Sequence, residues 1–180
     1  MRNKIAEEIH AINPLDKLES ETIKDVLNWL ESGVEIFRIK KPNTPAKHLV
    51  SYFVVVDGDY ILLVDHINAE LWLPTGGHVD VGEHPKSTVI REAQEELSIN
   101  ALFIHEKPIL LTNTKTVGKT AGHTDVSLWY AIKGDRNDTM DFDKSEFHRI
   151  KWFYKDDIPY NRTDPELHRF LKKLTVYITP

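Results

Sequence analysis

Acidic residues gather on one flank of a helix predicted for residues 85–97. At about 100° per residue, Glu92, Glu95 and Glu96 fall within one arc of the helix, and Arg91 lies one turn before Glu95. Carboxylates that crowd together repel one another, and a divalent cation would offset that repulsion. Because their ligand atoms are all oxygens, the arrangement favours Mg²⁺ or Mn²⁺.

The same helix carries an apolar arc beside its acidic one. Proline at position 85 suits the first turn, because its missing N–H would have no partner there. At helical spacing the apolar residues fall within roughly 100°, and we predict that all of them face the core. They are Val89, Ile90, Ala93 and Leu97.

The loop before this helix could hold a phosphate. Gly76 and Gly77 permit backbone shapes closed to other residues and let a phosphate approach the main chain. Glu83 stands just before the helix, where it either caps the helix or joins the carboxylates. A phosphate beside a bound metal ion is the arrangement needed for attack of water on phosphorus, since the metal neutralises phosphate charge and lowers the pKa of a bound water.

The spacing of these residues resembles the Nudix box. Gly77 is followed after five residues by Glu83, and after seven more by Arg-Glu-apolar-any-Glu-Glu at 91–96. Trp72-Leu-Pro before the glycines is also similar to the family pattern. Two departures concern loop geometry: Ser98 stands where the family has a glycine, and Thr75 is inserted before the paired glycines. Serine at 98 either adopts the left-handed turn, at a cost of about 1 kcal/mol, or shifts it towards Asn100.

The resemblance, which covers about residues 34–175, implies a fold, a reaction and a set of roles. It implies the α/β/α sandwich of Nudix hydrolases, with a mixed β-sheet. It also implies that Mg²⁺ or Mn²⁺ is bound by Glu92, Glu95 and Glu96, with assistance from Glu83. Arg91 would orient a glutamate, and Gly77 would shape the loop. The reaction would be hydrolysis of a phosphoanhydride bond in a nucleoside diphosphate linked to another moiety.

Four further residues are candidates for the site. Family members often have another acid before a late strand, and Glu146 is the candidate here, as a metal ligand, a general base or only a solvated loop acid. Either Glu95 or Glu146 could be the base. His78 could contact phosphate and the His123–Asp125 segment could contact substrate, although a histidine often serves only as a structural hydrogen-bonding residue. Trp72 and Tyr52 favour core packing over stacking on a base.

Elements around this motif are predicted from hydrophobic periodicity. Helices are expected at 4–12 and 20–32, and a last helix is expected from Pro165 to about 174, capped by Asp164. We expect Val34, Ile36 and Arg38 to share one face of a strand. The predicted strands span 34–40, 49–56, 60–64, 101–111, 126–132 and 150–154. We divide the chain into an N-terminal helical extension, 1–33, packed on the main domain or on a partner subunit of a homodimer, and a hydrolase domain, 34–180.

Composition limits the alternatives. The net charge of -5, from 23 basic and 28 acidic residues, does not predict nucleic-acid binding. No apolar run suggests a membrane span or a signal peptide, so a cytoplasmic protein is expected. The chain has no cysteine, which disfavours an isopentenyl diphosphate isomerase, a Nudix-fold enzyme that uses one. A non-catalytic nucleotide sensor, a plain binding domain, and the choice between nucleoside triphosphate and nucleotide conjugate remain open.

Overall fold

The computed structural model describes residues 1–41, 44–116 and 122–178. Its four α-helices in this part of the chain are α1 (Arg2–His10), α2 (Lys17–Glu31), α3 (Pro85–Leu97) and α4 (Leu167–Ile178). Asp16 caps α2, because its side chain accepts a hydrogen bond from the Glu19 backbone N–H. None of the helices in the described ranges is both long and apolar enough to cross a bilayer.

Eight strands of the described chain form one mixed sheet. They are β1 (Lys47–Asp57), β2 (Tyr60–His66), β3 (Leu71–Leu73), β4 (Thr75–His78), β5 (Leu102–Phe103), β6 (Leu110–Lys115), β7 (Thr124–Lys133) and β8 (Phe147–Tyr154). β1 is central: it pairs in parallel with β7 on one side, and antiparallel with both β2 and β4 on the other. β8 and β3 extend the sheet from β2, and β5 and β6 extend it from β7.

Helices cover both faces of the sheet, which confirms the predicted α/β/α sandwich. Alternate residues of β1 point to opposite faces. Phe53 and Val55 pack with Val89 and Leu97 of α3, in a buried cluster that also contains side chains of α1 and α2. The opposite face packs on α4 through Val54, Val56, Trp129, Phe170 and Leu174.

The predicted strand at Val34–Lys40 is wrong. The segment forms no ladder, although Ile36 and Phe37 are buried and the Leu49 N–H donates to the Ile36 carbonyl. The physical reason is that β7 pairs along one edge of β1 and that β4 and β2 occupy the other edge from Val50 onwards, which leaves this segment little more than the Leu49 N–H to bond with. The alternating pattern therefore arises because this segment is a loop with some side chains buried against the core.

Other boundaries need correction. The predicted strand 101–111 is two short strands, β5 and β6, separated by a segment that contains Pro108, whose nitrogen cannot donate to a ladder. α1 and α2 begin and end slightly before the predicted limits, and α4 begins at Leu167. Asp164, three residues before α4 begins, does accept a hydrogen bond from the Glu166 N–H at 2.7 Å.

The prediction that Ile90 faces the core is also wrong. Its side chain is 50% exposed, whereas Val89, Ala93 and Leu97 are fully buried. The buried arc of α3 is shifted away from Ile90 and towards Glu96, which is only 6% exposed. A carboxylate therefore occupies a buried position on α3 that the sequence pattern did not predict.

A buried ion pair joins the N-terminal helices to the rest of the chain. The Glu19 carboxylate on α2, fully buried, accepts hydrogen bonds from Lys173 Nζ on α4 at 2.7 Å and from the Leu111 N–H on β6 at 3.3 Å. Burial lowers the pKa of Lys173, and Glu19 opposes that effect. Such a pair is costly to break from one side, because the remaining charge stays buried.

We therefore expect Lys173→Met to lower the free energy of unfolding by about 3 kcal/mol, since it leaves the Glu19 carboxylate without its cation. Urea denaturation would measure the change. Lys172→Met is the matched control, because Lys172 is exposed on the same helix. Equal stabilities of the two variants would contradict the assigned role of the pair.

Candidate active site

α3 is positioned by signals at both of its ends. At its start, the His84 side chain accepts a hydrogen bond from the Lys86 N–H, so histidine and not Glu83 is the capping residue. At its end, Ser98 has φ 55° and ψ 32°, a left-handed conformation. Serine thus occupies the left-handed turn in place of the expected glycine, and the turn is not shifted to Asn100.

Arg91 gathers three of the predicted acids. Its guanidinium donates to Glu83 at 3.1 and 3.2 Å, to Glu92 at 2.7 Å and to Glu95 at 3.2 Å. It also donates to the His78 carbonyl at 3.2 Å, which ties α3 to β4. Glu83 is half-buried; burial raises its pKa, but hydrogen bonds from Arg91 and Thr88 outweigh that effect and leave the pKa below its usual value. Glu83 therefore stays ionised within the carboxylate group.

Within this carboxylate group, Glu92 and Glu96 are the acids whose pKa values burial raises above their usual range. Burial raises the pKa of Glu96 well above its usual value, and the neighbouring charges of Glu92 and Glu146 add to the effect. Burial likewise raises the pKa of Glu92, which Arg91 counteracts and Glu95 reinforces. Because Arg91 supplies one positive charge to several carboxylates, the site is short of positive charge. This oxygen-rich, partly desolvated group fits a hard divalent cation such as Mg²⁺.

The paired glycines allow the loop to lie against these acids. Gly76, at φ 150°, approaches the backbone of Ser51 and Tyr52 so closely that a Cβ would overlap them. Its N–H donates to Glu96 at 3.1 Å. A Cβ on Gly77 would instead overlap the Glu92 carboxylate. The two positions therefore require glycine for different steric reasons. β1 leaves no room for a Cβ at position 76, and α3 leaves none at position 77.

The loop that carries Glu146 also reaches the carboxylates. The Asp143 N–H donates to the Glu96 carbonyl at 2.9 Å, which fastens the loop to α3, and the Glu146 carbonyl accepts the Ile67 N–H at 2.9 Å. The exposed Glu146 side chain lies close enough to raise the pKa of both Glu92 and Glu96. The structure thus brings Glu146 to the group, and its role as ligand or base stays a prediction.

His78, His123 and Asp125 form a second group, on the other face of β4. Gly77 faces α3, so His78, the next residue along the strand, faces away from it. His123 Nε2 lies 3.2 Å from Asp125 Oδ1, and His48 Nε2 lies 3.5 Å from the same oxygen. His48 was not predicted. His48 lies beside Asp125 in the parallel register of β1 and β7. The sequence could indicate this contact only if the pairing of the two strands were already known.

The two aromatic candidates pack in the core, as the sequence favoured. Trp72 is 5% exposed and meets Phe153 edge to face, with ring centroids 5.0 Å apart. The Tyr52 ring lies 4.9 Å from that of Trp129.

The fold and the position of the acids correspond to a known family. Residues 46–174 match the family model described as the NUDIX domain, so the chain belongs to the Nudix hydrolase family. Nudix hydrolases act on nucleoside diphosphate derivatives and generally use divalent metal ions. Comparison with curated protein sequences finds no match.

Solved structures of Nudix hydrolases are similar to the chain. A NUDIX-family hydrolase from Clostridium perfringens is 25% identical, with a TM-score of 0.57 over 72% of this chain and 97% of that one. An Ap4A hydrolase from C. elegans is 24% identical, with a TM-score of 0.58 over 72% and 96%. A MutT NUDIX hydrolase from Burkholderia pseudomallei is 21% identical, with a TM-score of 0.56 over 71% and 97%. The two likenesses below 25% identity concern the fold alone.

The raised pKa values of Glu92 and Glu96 predict how Mg²⁺ should stabilise the fold. The folded chain holds these protons more tightly than the unfolded chain. Without metal, the contribution of these groups to stability therefore falls as pH rises from about 4.5 through the raised values. Mg²⁺ replaces the protons, so it should raise the melting temperature more at about pH 8 than at about pH 5.5. Thermal melts of Glu96→Gln should show a smaller increase, whereas Glu31→Gln, on exposed α2 surface, should behave as the parent does. Equal increases at both pH values would contradict this prediction.

Gly77→Ala should displace the Glu92 carboxylate without straining the backbone, because Gly77 has no positive φ. We expect weaker Mg²⁺ binding by calorimetry with a circular dichroism spectrum like that of the parent. Gly76→Ala, which meets backbone atoms, should instead lower the melting temperature. An unchanged Mg²⁺ affinity for Gly77→Ala would count against Glu92 as a ligand.

Proposed function

We propose that this protein hydrolyses a phosphoanhydride bond in a nucleoside triphosphate or in a nucleoside diphosphate linked to another group. The proposed cofactor is Mg²⁺, or Mn²⁺ in its place. The proposed ligands are Glu92, Glu95 and Glu96, with Glu83 and Glu146 completing the group directly or through water.

One observation carries this proposal: carboxylates converge beside a glycine turn, and burial, together with neighbouring carboxylate charge, raises the pKa of Glu92 and Glu96. The repulsion among Glu92, Glu96 and Glu146 has no full counter-charge among the described residues. A cation would remove the repulsion. A phosphate group next to Gly76 and Gly77 would then bring further oxygen ligands to that cation.

Arg91, the metal ion and a general base have separate roles in the proposed reaction. Arg91 fixes the orientation of Glu83, Glu92 and Glu95 through its hydrogen bonds. When bound, the metal neutralises phosphate charge and favours ionisation of a water. The water oxygen attacks phosphorus, the phosphoanhydride P–O bond breaks, and the leaving phosphate keeps the bond electrons. Either Glu95, with a side chain 60% exposed, or the exposed Glu146 takes the proton from that water in this proposal.

Substrate contacts are proposed along β4 and beyond it. Gly76 and Gly77 would admit the phosphate. His78, His123 and Asp125 stay predicted substrate contacts, although their side chains converge on one another across the sheet. The neighbouring Ap4A hydrolase does not assign a substrate to this chain, because the similarity to it at 24% identity extends only to the fold.

The test is a screen of nucleoside triphosphates and nucleoside diphosphate conjugates with Mg²⁺ and with Mn²⁺. Product analysis in ¹⁸O-labelled water would identify the phosphorus that is attacked. We expect Glu95→Gln to lower kcat by at least ~100-fold, the scale of losing a base or a ligand at the reacting centre. Glu31→Gln on α2 is the matched control. Thermal melts would establish that Glu95→Gln is folded.

Two outcomes would contradict the proposal. An unchanged rate in Glu95→Gln would remove Glu95 from the reaction. Nucleotide binding without turnover by the parent protein, with either metal, would instead identify a sensor. A parallel measurement on Glu146→Gln separates the two candidate bases: the pH–rate profile should lose its acidic limb in the variant that lacks the base.

A further inference from the structure

We propose that His48, His78, His123 and Asp125 form a second metal site, for a transition-metal ion of the Zn²⁺ type, separate from the glutamate group on α3. One ligand atom from each of these residues lies within 4.8 Å of all the others. The residues come from three neighbouring strands: His48 from β1, His78 from β4 and Asp125 from β7, with His123 immediately before β7. This inference does not depend on the proposed hydrolysis.

The distances suit a tetrahedral ion. Bonds of about 2.0–2.1 Å to imidazole nitrogen and carboxylate oxygen place tetrahedral ligand atoms about 3.4 Å apart. The Asp125 Oδ1 atom lies 3.2 Å from His123 Nε2 and 3.5 Å from His48 Nε2. The His48 ring lies 4.8 Å from that of His78 and 4.9 Å from that of His123, centroid to centroid. The His78 and His123 rings lie 6.0 Å apart, so the His78 ring would have to move inwards to complete the set.

Hydrogen bonding leaves lone pairs at the centre of the group. His48 Nδ1 lies 2.7 Å from the Pro45 carbonyl oxygen, which can only accept, so Nδ1 carries the hydrogen and Nε2 has a free lone pair. The Thr116 hydroxyl lies 3.3 Å from His123 Nδ1 and 3.2 Å from the His123 carbonyl oxygen, so it holds the His123 ring through Nδ1 and leaves Nε2 towards Asp125. A metal-binding histidine ordinarily has such a partner on its second nitrogen, because it fixes the tautomer and the ring orientation.

These inward-facing atoms lack partners of their own. His48 Nε2, His78 Nε2 and Asp125 Oδ1 are buried and accept no hydrogen bond from any residue in the described ranges. The His48 Nε2 lone pair and the Asp125 carboxylate oxygen thus face each other at 3.5 Å, an arrangement that repels unless a proton or a cation lies between them. His48 is completely buried, so solvent water cannot donate a hydrogen bond to its Nε2 atom.

Charge favours a metal ion that binds nitrogen. Burial, with Arg38 nearby, lowers the pKa of His48, of His123, and of His78 to about 3, so the imidazoles are neutral and able to bind a metal at neutral pH. Imidazole ligands suit Zn²⁺, Co²⁺ and Ni²⁺, whereas Mg²⁺ prefers oxygen. Arg38 opposes a cation and forms no ion pair with Asp125, and burial raises the pKa of Asp125 to about 7, so a metal ion would compete with a proton for this carboxylate.

Four protein ligands would close the coordination sphere, which is typical of a structural ion and leaves no position for substrate. The ion would link β1, β4 and β7 at the strand that carries Gly76 and Gly77. His78, His123 and Asp125 would then support this strand and would not contact substrate directly, so the metal site and the substrate contacts proposed for these three residues exclude each other.

The test uses the whole protein after treatment with a chelator, with saturating Mg²⁺ present to fill the oxygen-ligand site. Co²⁺ added to the parent protein should give the intense visible absorption of a tetrahedral nitrogen–oxygen site at one ion per chain. Six-coordinate Co²⁺ on carboxylates absorbs only weakly, so the spectrum distinguishes the two places without any variant. Zn²⁺ should displace Co²⁺ and raise the melting temperature.

Variants locate the ion. Asp125→Asn, which keeps the shape of the side chain, and His48→Gln should each lower Zn²⁺ affinity at least tenfold and abolish the Zn²⁺-dependent rise in melting temperature. His105→Gln is the matched control, since the His105 ring packs on Tyr177, away from the group. Glu95→Gln should keep full Zn²⁺ binding.

The results separate this inference from the proposed hydrolysis. Loss of Co²⁺ absorption in Glu95→Gln with retention in Asp125→Asn would place the ion among the glutamates and overturn the proposal. An apoprotein that takes up neither Zn²⁺ nor Co²⁺ would also overturn it, and would leave a proton on Asp125 as the means of neutralising the group. Neither result bears on whether Mg²⁺ supports hydrolysis.

Discussion

The contact of α3 with β4 is the constraint on which the site depends. A helix that carries carboxylates on its buried side can approach a strand only where the strand has no side chain facing it. Gly77 meets that requirement, because a Cβ there would occupy the position of the Glu92 carboxylate. Gly76 adds a backbone N–H that binds Glu96 at 3.1 Å. The two glycines therefore let ionisable groups lie in the interior, where their charges act strongly on one another.

Much of the fold follows from local patterns. The strands predicted at 49–56 and 60–64 are present as β1 and β2, and α3, predicted from its proline and its periodicity, has the predicted bounds. The alternating segment 34–40 misled because alternation records which side chains are buried, not whether a strand edge is free to pair. The prediction that Ile90 faces the core was wrong for a related reason. The arc that faces the core is set by the sheet on which α3 packs, and that sheet accommodates Glu96 in preference to Ile90.

The residues of the candidate site also differ in whether the sequence could predict them. Residues held within one helix and its preceding loop could be placed from spacing alone, as the hydrogen bonds of Arg91 to Glu83, Glu92 and Glu95 illustrate. Glu146 could be proposed only through family resemblance, since the hydrogen bond from the Asp143 N–H to the Glu96 carbonyl joins segments far apart in sequence. His48 escaped notice altogether, because its relation to Asp125 exists only in the parallel register of β1 and β7.

β4 separates two kinds of chemistry by the alternation of its side chains. On the side of Gly77 lie carboxylates, which offer hard oxygen ligands and repel one another. On the side of His78 lie imidazoles made neutral by burial and by Arg38, which offer nitrogen. An ion that prefers oxygen ligands and an ion that prefers nitrogen ligands would therefore bind on opposite faces of β4, without competing for the same atoms. An ion on the nitrogen side would hold β1, β4 and β7 in place, and the oxygen side could then keep its carboxylates close together despite their repulsion.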